Sequence, residues 1–358
     1  MASAPVREEV GPDGVAVWWF DRPGEKLNTL GHATMEALEN LVKAASSRSD
    51  LKGILLASAK PGNFIAGADL EEMRALLASP DAARGAREAS ALGHRVFSAL
   101  EALKIPTVAV INGPCMGGGT ELALSCRYRV AADDPALRIV LPEIKLGILP
   151  AWGGCTRLPR LIGLLGALDI ILAGKELRAS QARRAGLVDD LVPPENPLGS
   201  ARLFLARILK EGDGFVMKRR KRPSLLLEAN PLGRAVVLSK AAQRVRAEPG
   251  GNYPAPEKAL AAIRAGLGDP AQGFAAEEAA LSELVAGGVA KHLVSIFFMT
   301  QENRRYTGGI LSQPREIHQM GVLGAGLMGA GIAQVAAGRG IPVRMKDVAV
   351  EALAKGLS

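Results

Sequence analysis

The sequence predicts an α/β fold, and three observations carry that prediction. Between residue 15 and about residue 190, short apolar runs bounded by Gly, Pro or charge alternate with segments of helical spacing, as expected of helices packed over a sheet. Apolar residues make up 48% of the 358-residue chain, enough for a sizeable core. No stretch approaches the ~18 uninterrupted apolar residues of a membrane span. The best candidate, LIGLLGALDIILAG (161–174), is short, carries Asp169 in its middle, and reads as a buried helix.

Taken in order, VAVWWF (15–20), GILLASA (53–59) and TVAVING (107–113) read as strands. Between the first two, Met35, Leu38, Leu41, Val42 and Ala45 recur at helical spacing, which predicts an amphipathic helix over 32–47. A further helix begins near Gly119. After about residue 190 the pattern changes: VPPENP reads as a hinge, and mostly helical spacing follows to residue 305, interrupted by GGNYPAP (250–256). Near residue 316, HQMGVLGAGLMGAGIAQVAA opens what reads as a new domain. The expected organisation is therefore a core over 1–190, a helical appendage and linker over 191–315, and a third segment over 316–358.

Composition narrows the functional classes. The N-terminus, MASAPVREEVGPDG, has no apolar h-region, and its paired glutamates do not suit a transit peptide, so export is not expected. Cys115, Cys126 and Cys155 form no CxxC pair and, with four scattered histidines, give no zinc spacing, so no metal is expected. They read as reduced, small core residues. The net charge of +8 favours anionic partners without naming one. The densest basic run, MKRRKRP (217–223), has no interleaved aromatics and reads as a solvated loop or helix end, not as a nucleic-acid surface.

The chemistry concentrates around GPCMGGGTELALSC (113–126). Three glycines, Gly117 to Gly119, precede a helix that opens with Glu121. Amides at a helix N-terminus lack intrahelical acceptors and sit at the positive end of the dipole, so bare glycines there can present donors to an oxygen gaining charge. GNFIAGADL (62–70) offers a similar approach at Gly67 and Ala68, and Glu143 lies in LPEIKLGILP, 22 residues after Glu121. Paired carboxylates beside such donors could move protons onto and off a substrate carbon. The bland reading stands beside this one: acidic residues favour a helix's first turn, and the glycines could serve packing alone.

IAGADL, NGPCMGGGTELALSCRYRVA and LPEIKLGILPAWGGCTRLPRLIG resemble, in order and spacing, the signature segments of the crotonase (enoyl-CoA hydratase/isomerase) superfamily. With KLNTLG, KPGNFIAGAD, YPAPEKAL and GVLGAGLMGAGIAQV, the resemblance extends over nearly the full length to the multifunctional β-oxidation α-subunits. In those proteins a hydratase domain precedes a 3-hydroxyacyl-CoA dehydrogenase domain. The resemblance implies a crotonase-like spiral of ββα repeats, with catalytic glutamates at Glu121 and Glu143 and oxyanion-hole amides at Ala68 and Gly118. It places Ala66, Gly67, Asp69 and Gly117 against the substrate. The implied reaction is syn hydration of trans-2-enoyl-CoA to 3-hydroxyacyl-CoA, with side Δ3-Δ2 isomerase activity. Coenzyme A enters as part of the substrate, and hydration needs no cofactor. The resemblance also admits a thiolase β-subunit and a second copy of the chain as partners, and a cytoplasmic location in a bacterium or the mitochondrial matrix in a eukaryote. Another crotonase-fold reaction (isomerase or acyl-CoA hydrolase) and a non-catalytic acyl-CoA-binding or assembly module are the alternatives. Two departures from the pattern stand out. The extra residues between the glutamates fall in AADDPALRI (131–139), a surface turn, and Ala151 with Trp152 after LGILP would reshape the acyl pocket.

The third segment carries GAGLMG, a GxGxxG match at Gly324, Gly326 and Gly329. It follows an apolar strand, opens a helix, and has Asp347 ending a second strand about 20 residues on, as an NAD site requires. Only 34 residues follow Gly324, so the expectation is a truncated Rossmann βαβ start without dehydrogenase activity, NAD acting only in an intact full-length parent. One βαβ unit leaves a helix face and strand edges uncovered. Calorimetry with NAD should accordingly give weak or no binding, and tight binding would overturn this expectation.

Overall fold

The structure, a computed structural model, describes residues 4–219, 228, 230–247, 252–305 and 316–357. Residues 1–300 and 301–358 form two compact units. Residues 220–223 of the basic run lie outside the described residues.

The first unit is built on a six-stranded sheet. Its strands are β1 (Val6–Val10), β2 (Val15–Phe20), β3 (Gly53–Ser58), β4 (Thr107–Ile111), β6 (Tyr128–Ala132) and β8 (Asp190–Val192), in the order β1-β2-β3-β4-β6-β8. β1 runs antiparallel to β2 and the others pair in parallel. Alternation along each strand divides its side chains between two cores. Ala16, Trp18, Phe20, Ile54, Leu56, Ala109 and Ile111 pack with helices His32–Ser46 and Ala82–Glu101. Val15, Val17, Leu55, Val108, Val110 and Val130 pack with Phe204, Leu205 and Ile208 of helix Pro197–Glu211. That helix starts at the end of VPPENP, where Asn196 caps it by accepting from the Gly199 amide at 2.9 Å. The segment after the hinge thus covers the second face of the sheet.

A second layer of short pairings lies between strands and helices: Leu30 with Ala68, Ile65 with Cys115, β5 (Cys115–Met116) with β7 (Ile139–Val140), and Ile139 with Leu177. Strand, short strand and helix therefore recur along the chain, which is the ββα spiral anticipated from the sequence. One local expectation needs correction, and one strand was not anticipated. The run 161–174 is not one buried helix: Gly163, at φ +89, divides it into Gly154–Ile162 and Leu164–Ala173, and Leu165 is exposed. β1 escaped the apolar-run reading because VREEV buries only Val6 fully. Cys115, Cys126 and Cys155 are free and buried, and burial pushes the thiols of Cys115 and Cys126 up to about 12.

The second unit contains β9 (Met320–Leu323) and β10 (Val343–Lys346), parallel and joined through helix Leu327–Ala337, with helix Val350–Leu357 after them. Leu323, Leu327, Met328, Val348 and Val350 are exposed, as expected of a βαβ unit with an uncovered face. No single helix among the described residues is long and apolar enough to cross a membrane.

One buried charge holds the helix that carries Glu121. Arg129 and Asp189 are almost fully buried. The Arg129 guanidinium donates to the carbonyls of Ala123 and Cys126 at the end of helix Gly118–Ser125, at 3.2 and 2.6 Å, and to Leu187 O at 2.8 Å. Asp189 Oδ2 accepts from the Arg129 amide at 2.9 Å and from its Nη2 at 3.4 Å. Cations favour a helix C-terminus, and an uncompensated buried charge is heavily penalised. Arg129→Met should therefore lower unfolding stability in urea by about 3 kcal/mol or more, whereas a surface control such as Arg84→Met should change it by less than about 0.5 kcal/mol.

Candidate active site

Within the first unit, a cavity of about 290 Å³ opens between apolar walls that include Leu30, Met73, Leu76, Ile148, Trp152, Leu281 and Val285. Four of its lining residues are Ala68, Gly118, Glu121 and Glu143. The amides of Ala68 and Gly118 donate to no acceptor among the described residues. Each is fixed by its neighbours. The carbonyl of Gly67, at φ +102, accepts from Leu30 N at 2.8 Å, and Ala66 N donates to Asn28 O at 2.8 Å. Asn28 is buried and anchored through its side-chain amide to Phe20 O and Ser58 Oγ. On the other side, Gly117 N donates to Val140 O at 2.9 Å, and the Gly117 carbonyl accepts from Thr120 and Glu121 as the helix begins. Two segments far apart in sequence thus present bare N–H groups to one cavity, as an oxyanion hole requires.

The three glycines have three separate causes. Gly117 sits at φ +49, a region that side chains avoid, and a Cβ there would lie 2.6 Å from Glu143 Oε1. A Cβ on Gly118 would meet the Trp152 ring at 2.5 Å, and one on Gly119 would meet Ile65 O at 2.5 Å. Packing therefore explains Gly119, and Gly118 serves both the bare amide and the seat of Trp152. The indole also lies against Gly93, donates to Ala89 O at 3.0 Å and meets Phe97 edge-on at 5.8 Å.

The two carboxylates differ in their surroundings. Glu121 is buried, and its Oε1 accepts from the amides of Trp152 and Gly154, both at 2.8 Å. Burial, reinforced by the charge of Glu277, raises its pKa to about 7, with the two amides and His94 pulling the other way. Glu143 opens the short 3-10 turn Glu143–Leu146. Its Oε2 is buried and has no hydrogen-bond partner among the described residues. Burial, and then the charge of Glu121, push its carboxyl well above the usual range. One acid is thus equipped to carry a negative charge and the other to keep a proton.

Sequence reasoning named these four residues, and the structure brings them to one cavity. Asp69 joins them on the wall, although its carboxylate also caps helix Leu70–Ala78, accepting from Glu71 N and Glu72 N, and pairs with Arg22. Ala66, Gly67 and Gly117 do not line the cavity; they hold the backbone that aims the Ala68 and Gly118 amides. Sequence reasoning missed Glu277 and His94, a buried pair 2.9 Å apart behind Glu121. Glu277 shares the buried face of its helix with Gly273, Ala280 and Leu284. In the second unit, Gly324 adopts φ +97, a Cβ on Gly329 would lie 1.8 Å from Gly324 O, and Gly326 heads helix Leu327–Ala337 with open space around it. Asp347 accepts from Ala325 N at 2.6 Å and from Val348 N at 2.7 Å. This is the turn geometry of a dinucleotide fingerprint.

Comparison with known proteins agrees with this geometry. A model of the enoyl-CoA hydratase/isomerase family matches residues 11–221, and one of the 3-hydroxyacyl-CoA dehydrogenase NAD binding domain matches residues 319–358. The fatty acid oxidation complex subunit alpha of Vibrio vulnificus is 41% identical over 351 residues, covering 98% of this chain and 48% of that protein. The subunit of the same description from Shewanella loihica is 40% identical over 351 residues, covering 97% and 48%. The chain thus spans about half the length of the curated relatives it matches. Among solved structures, an enoyl-CoA hydratase from Bacillus anthracis aligns with a TM-score of 0.53 and 28% identity over 67% of this chain and 90% of that one. One from Bacillus halodurans gives 0.60 at 22% identity over 82% and 99%, a likeness of fold.

The raised pKa of Glu143 has a consequence for stability. A carboxyl whose folded pKa lies above its unfolded value contributes stability that is fully present below the unfolded pKa and is lost as pH rises through the folded one. Glu143→Gln removes that loss. Its melting temperature relative to the parent chain should therefore rise steadily from pH 5 to pH 9 in parallel thermal scans; a constant difference would contradict the raised pKa.

Proposed function

Because this chain belongs to the enoyl-CoA hydratase/isomerase family, we propose that its cavity adds water to a trans-2-enoyl-CoA thioester. The observation that carries the reading is the convergence of two bare amides, Ala68 and Gly118, and two unlike carboxylates, Glu121 and Glu143, on one apolar cavity. The thioester oxygen lies between the amides, which stabilise the enolate-like charge as it develops; each such donor is worth about 10² to 10³ in rate. The acyl chain runs along Met73, Leu76, Ile148, Leu281 and Val285. Water sits between the carboxylates.

Glu121 is the base, because two amides on its Oε1 favour the ionised form. It takes a proton from water as the oxygen bonds to the β-carbon. Glu143 is the acid, because its buried Oε2 has no donor to stabilise a charge. Its proton goes to the α-carbon. The atoms of one water are then added, Glu121 holds a proton and Glu143 is ionised, and a proton passing between them restores the site. In its ionised form Glu143 would instead take a proton from the α-carbon of a Δ3-enoyl thioester and return it to the γ-carbon, a side Δ3-Δ2 isomerase activity that leaves the carboxylate unchanged.

NAD takes no part in hydration. In the second unit, Gly324, Gly326 and Asp347 would hold it in a complete dinucleotide domain, where it would accept a hydride. What the curated relatives are called supports membership of a fatty acid oxidation complex, and the family resemblance suggests a thiolase subunit as partner within it.

The test follows loss of the enoyl-thioester absorbance with crotonyl-CoA and a longer enoyl-CoA. The parent chain should consume both, with activity falling as pH drops below about 7, where Glu121 becomes protonated. Glu121→Gln and Glu143→Gln should each lose about 10² to 10⁴ in kcat. Turnover near the parental rate in either variant would refute the assignment.

A further inference from the structure

Behind the two reacting carboxylates lies a third that the hydration scheme does not use. Glu277, on helix Pro270–Ala286, is completely buried. Its Oε2 accepts from Gly153 N at 2.7 Å and faces His94 Nε2 at 2.9 Å, and its Oε1 accepts from Thr156 Oγ1 at 2.8 Å. His94 Nδ1 faces Glu278 Oε1 at 3.1 Å, and Phe274 stacks on the imidazole at 4.7 Å. Gly153 is the middle residue of the turn whose flanking amides, those of Trp152 and Gly154, hold Glu121 Oε1. Three successive N–H groups therefore point alternately at Glu121, Glu277 and Glu121. Burial disfavours the His94 cation, but the carboxylates of Glu277 and Glu278 outweigh that effect and raise its pKa.

We propose that Glu277 and His94 are positioning residues of the hydration site: Glu277 fixes the turn whose amides orient the Glu121 carboxylate, and the two opposite charges together set the field in which Glu121 gains and loses its proton. The proposal rests on the hydratase reading above. The titratable and charged groups around Glu121 come from each element packed near it. They are His94 and Glu101 on helix Ala82–Glu101, Cys115 on β5, Glu143 on its turn, Cys155 and Arg157 on helix Gly154–Ile162, and Glu277 with Glu278 on helix Pro270–Ala286. Arg157 is turned towards Glu101, Ser98 and the Trp152 carbonyl, and Cys115 and Cys155 stay neutral through burial. Glu277 and His94 are thus the nearby charges, beyond Glu143, that act on Glu121.

Isosteric variants separate field from scaffold. Glu277→Gln removes a negative neighbour, so the acid limb of the pH profile of kcat should move to lower pH. His94→Gln removes a positive one, so the limb should move to higher pH, each by about half a unit or more. Glu277→Ala, which also abandons the Gly153 amide, should lower kcat by about 10²-fold with little change in KM. The same displacement is read without turnover from the infrared carboxyl band that Glu121→Gln removes, titrated in each background. Shifts of opposite sign in both readouts support the proposal. An unmoved Glu121 titration in both Gln variants, or shifts of the same sign, would sink it, even where stability falls. Failure of the parent chain to hydrate any enoyl-CoA would instead sink the hydratase reading, and the infrared titration would still decide whether Glu277 and His94 govern Glu121.

Discussion

Two carboxylates share the interior behind the cavity, and the turn Trp152–Gly154 holds them there. An isolated buried carboxylate is strongly disfavoured, and two near each other more so. The arrangement is tolerated because the acceptors are supplied with donors. Glu121 takes two amides from the turn, and Glu277 takes the amide between them, a threonine hydroxyl and a histidine. Gly153, at φ +103, allows consecutive amides to face in these directions, and a Cβ there would run into the Arg157 guanidinium at 1.9 Å. Glu143 Oε2 has no such donor among the described residues. In the hydration we propose, the division of labour between acid and base therefore comes from the distribution of backbone N–H groups, since the two side chains are chemically identical.

The helices beyond residue 250 are part of this arrangement. Helix Pro270–Ala286 packs along helix Ala82–Glu101 and against helices Ala255–Gly268 and Gly154–Ile162. From it come Glu277 behind the reacting acids and the Leu281 and Val285 walls of the cavity. A segment that reads from its sequence as an appendage thus walls one side of the cavity and sets Glu277 against His94 behind it.

Strands β2, β3 and β4 were legible because a short continuous apolar run bounded by Gly, Pro or charge marks a strand buried on both faces. The helix over 32–47 was legible from its apolar spacing. Glu121 and Glu143 stood out as acids beside glycine-rich turns, and the family resemblance added the Ala68 and Gly118 amides. Glu277 stayed hidden because GFAAEEAALSEL contains three glutamates, and a one-dimensional pattern does not distinguish the one aimed inward, at zero exposure, from its solvated neighbours. His94 looked like one of four scattered histidines. Its partner lies 183 residues later, a separation that no local window spans. Ala66 and Gly67 were named for their proximity in sequence to an oxyanion donor, and no local pattern shows that Ala66 N and Gly67 O are engaged with Asn28 and Leu30.

The pairing of His94 with Glu277 also bears on how the chain is made. Ribosomes extend a chain at roughly 5 to 20 residues per second, and early segments fold as they emerge. The sheet, the glycine turn and both reacting glutamates are all synthesised before helix Pro270–Ala286 exists. Until then the turn at Gly153 has no carboxylate on its middle amide, and His94 has neither of its acidic partners. For the seconds of synthesis in between, His94 and Thr156 therefore lack the carboxylates they meet in the finished chain. Arrival of the late helix supplies them together with the Leu281 and Val285 walls, so a segment translated near the end of the first unit completes a cavity whose other parts are made early.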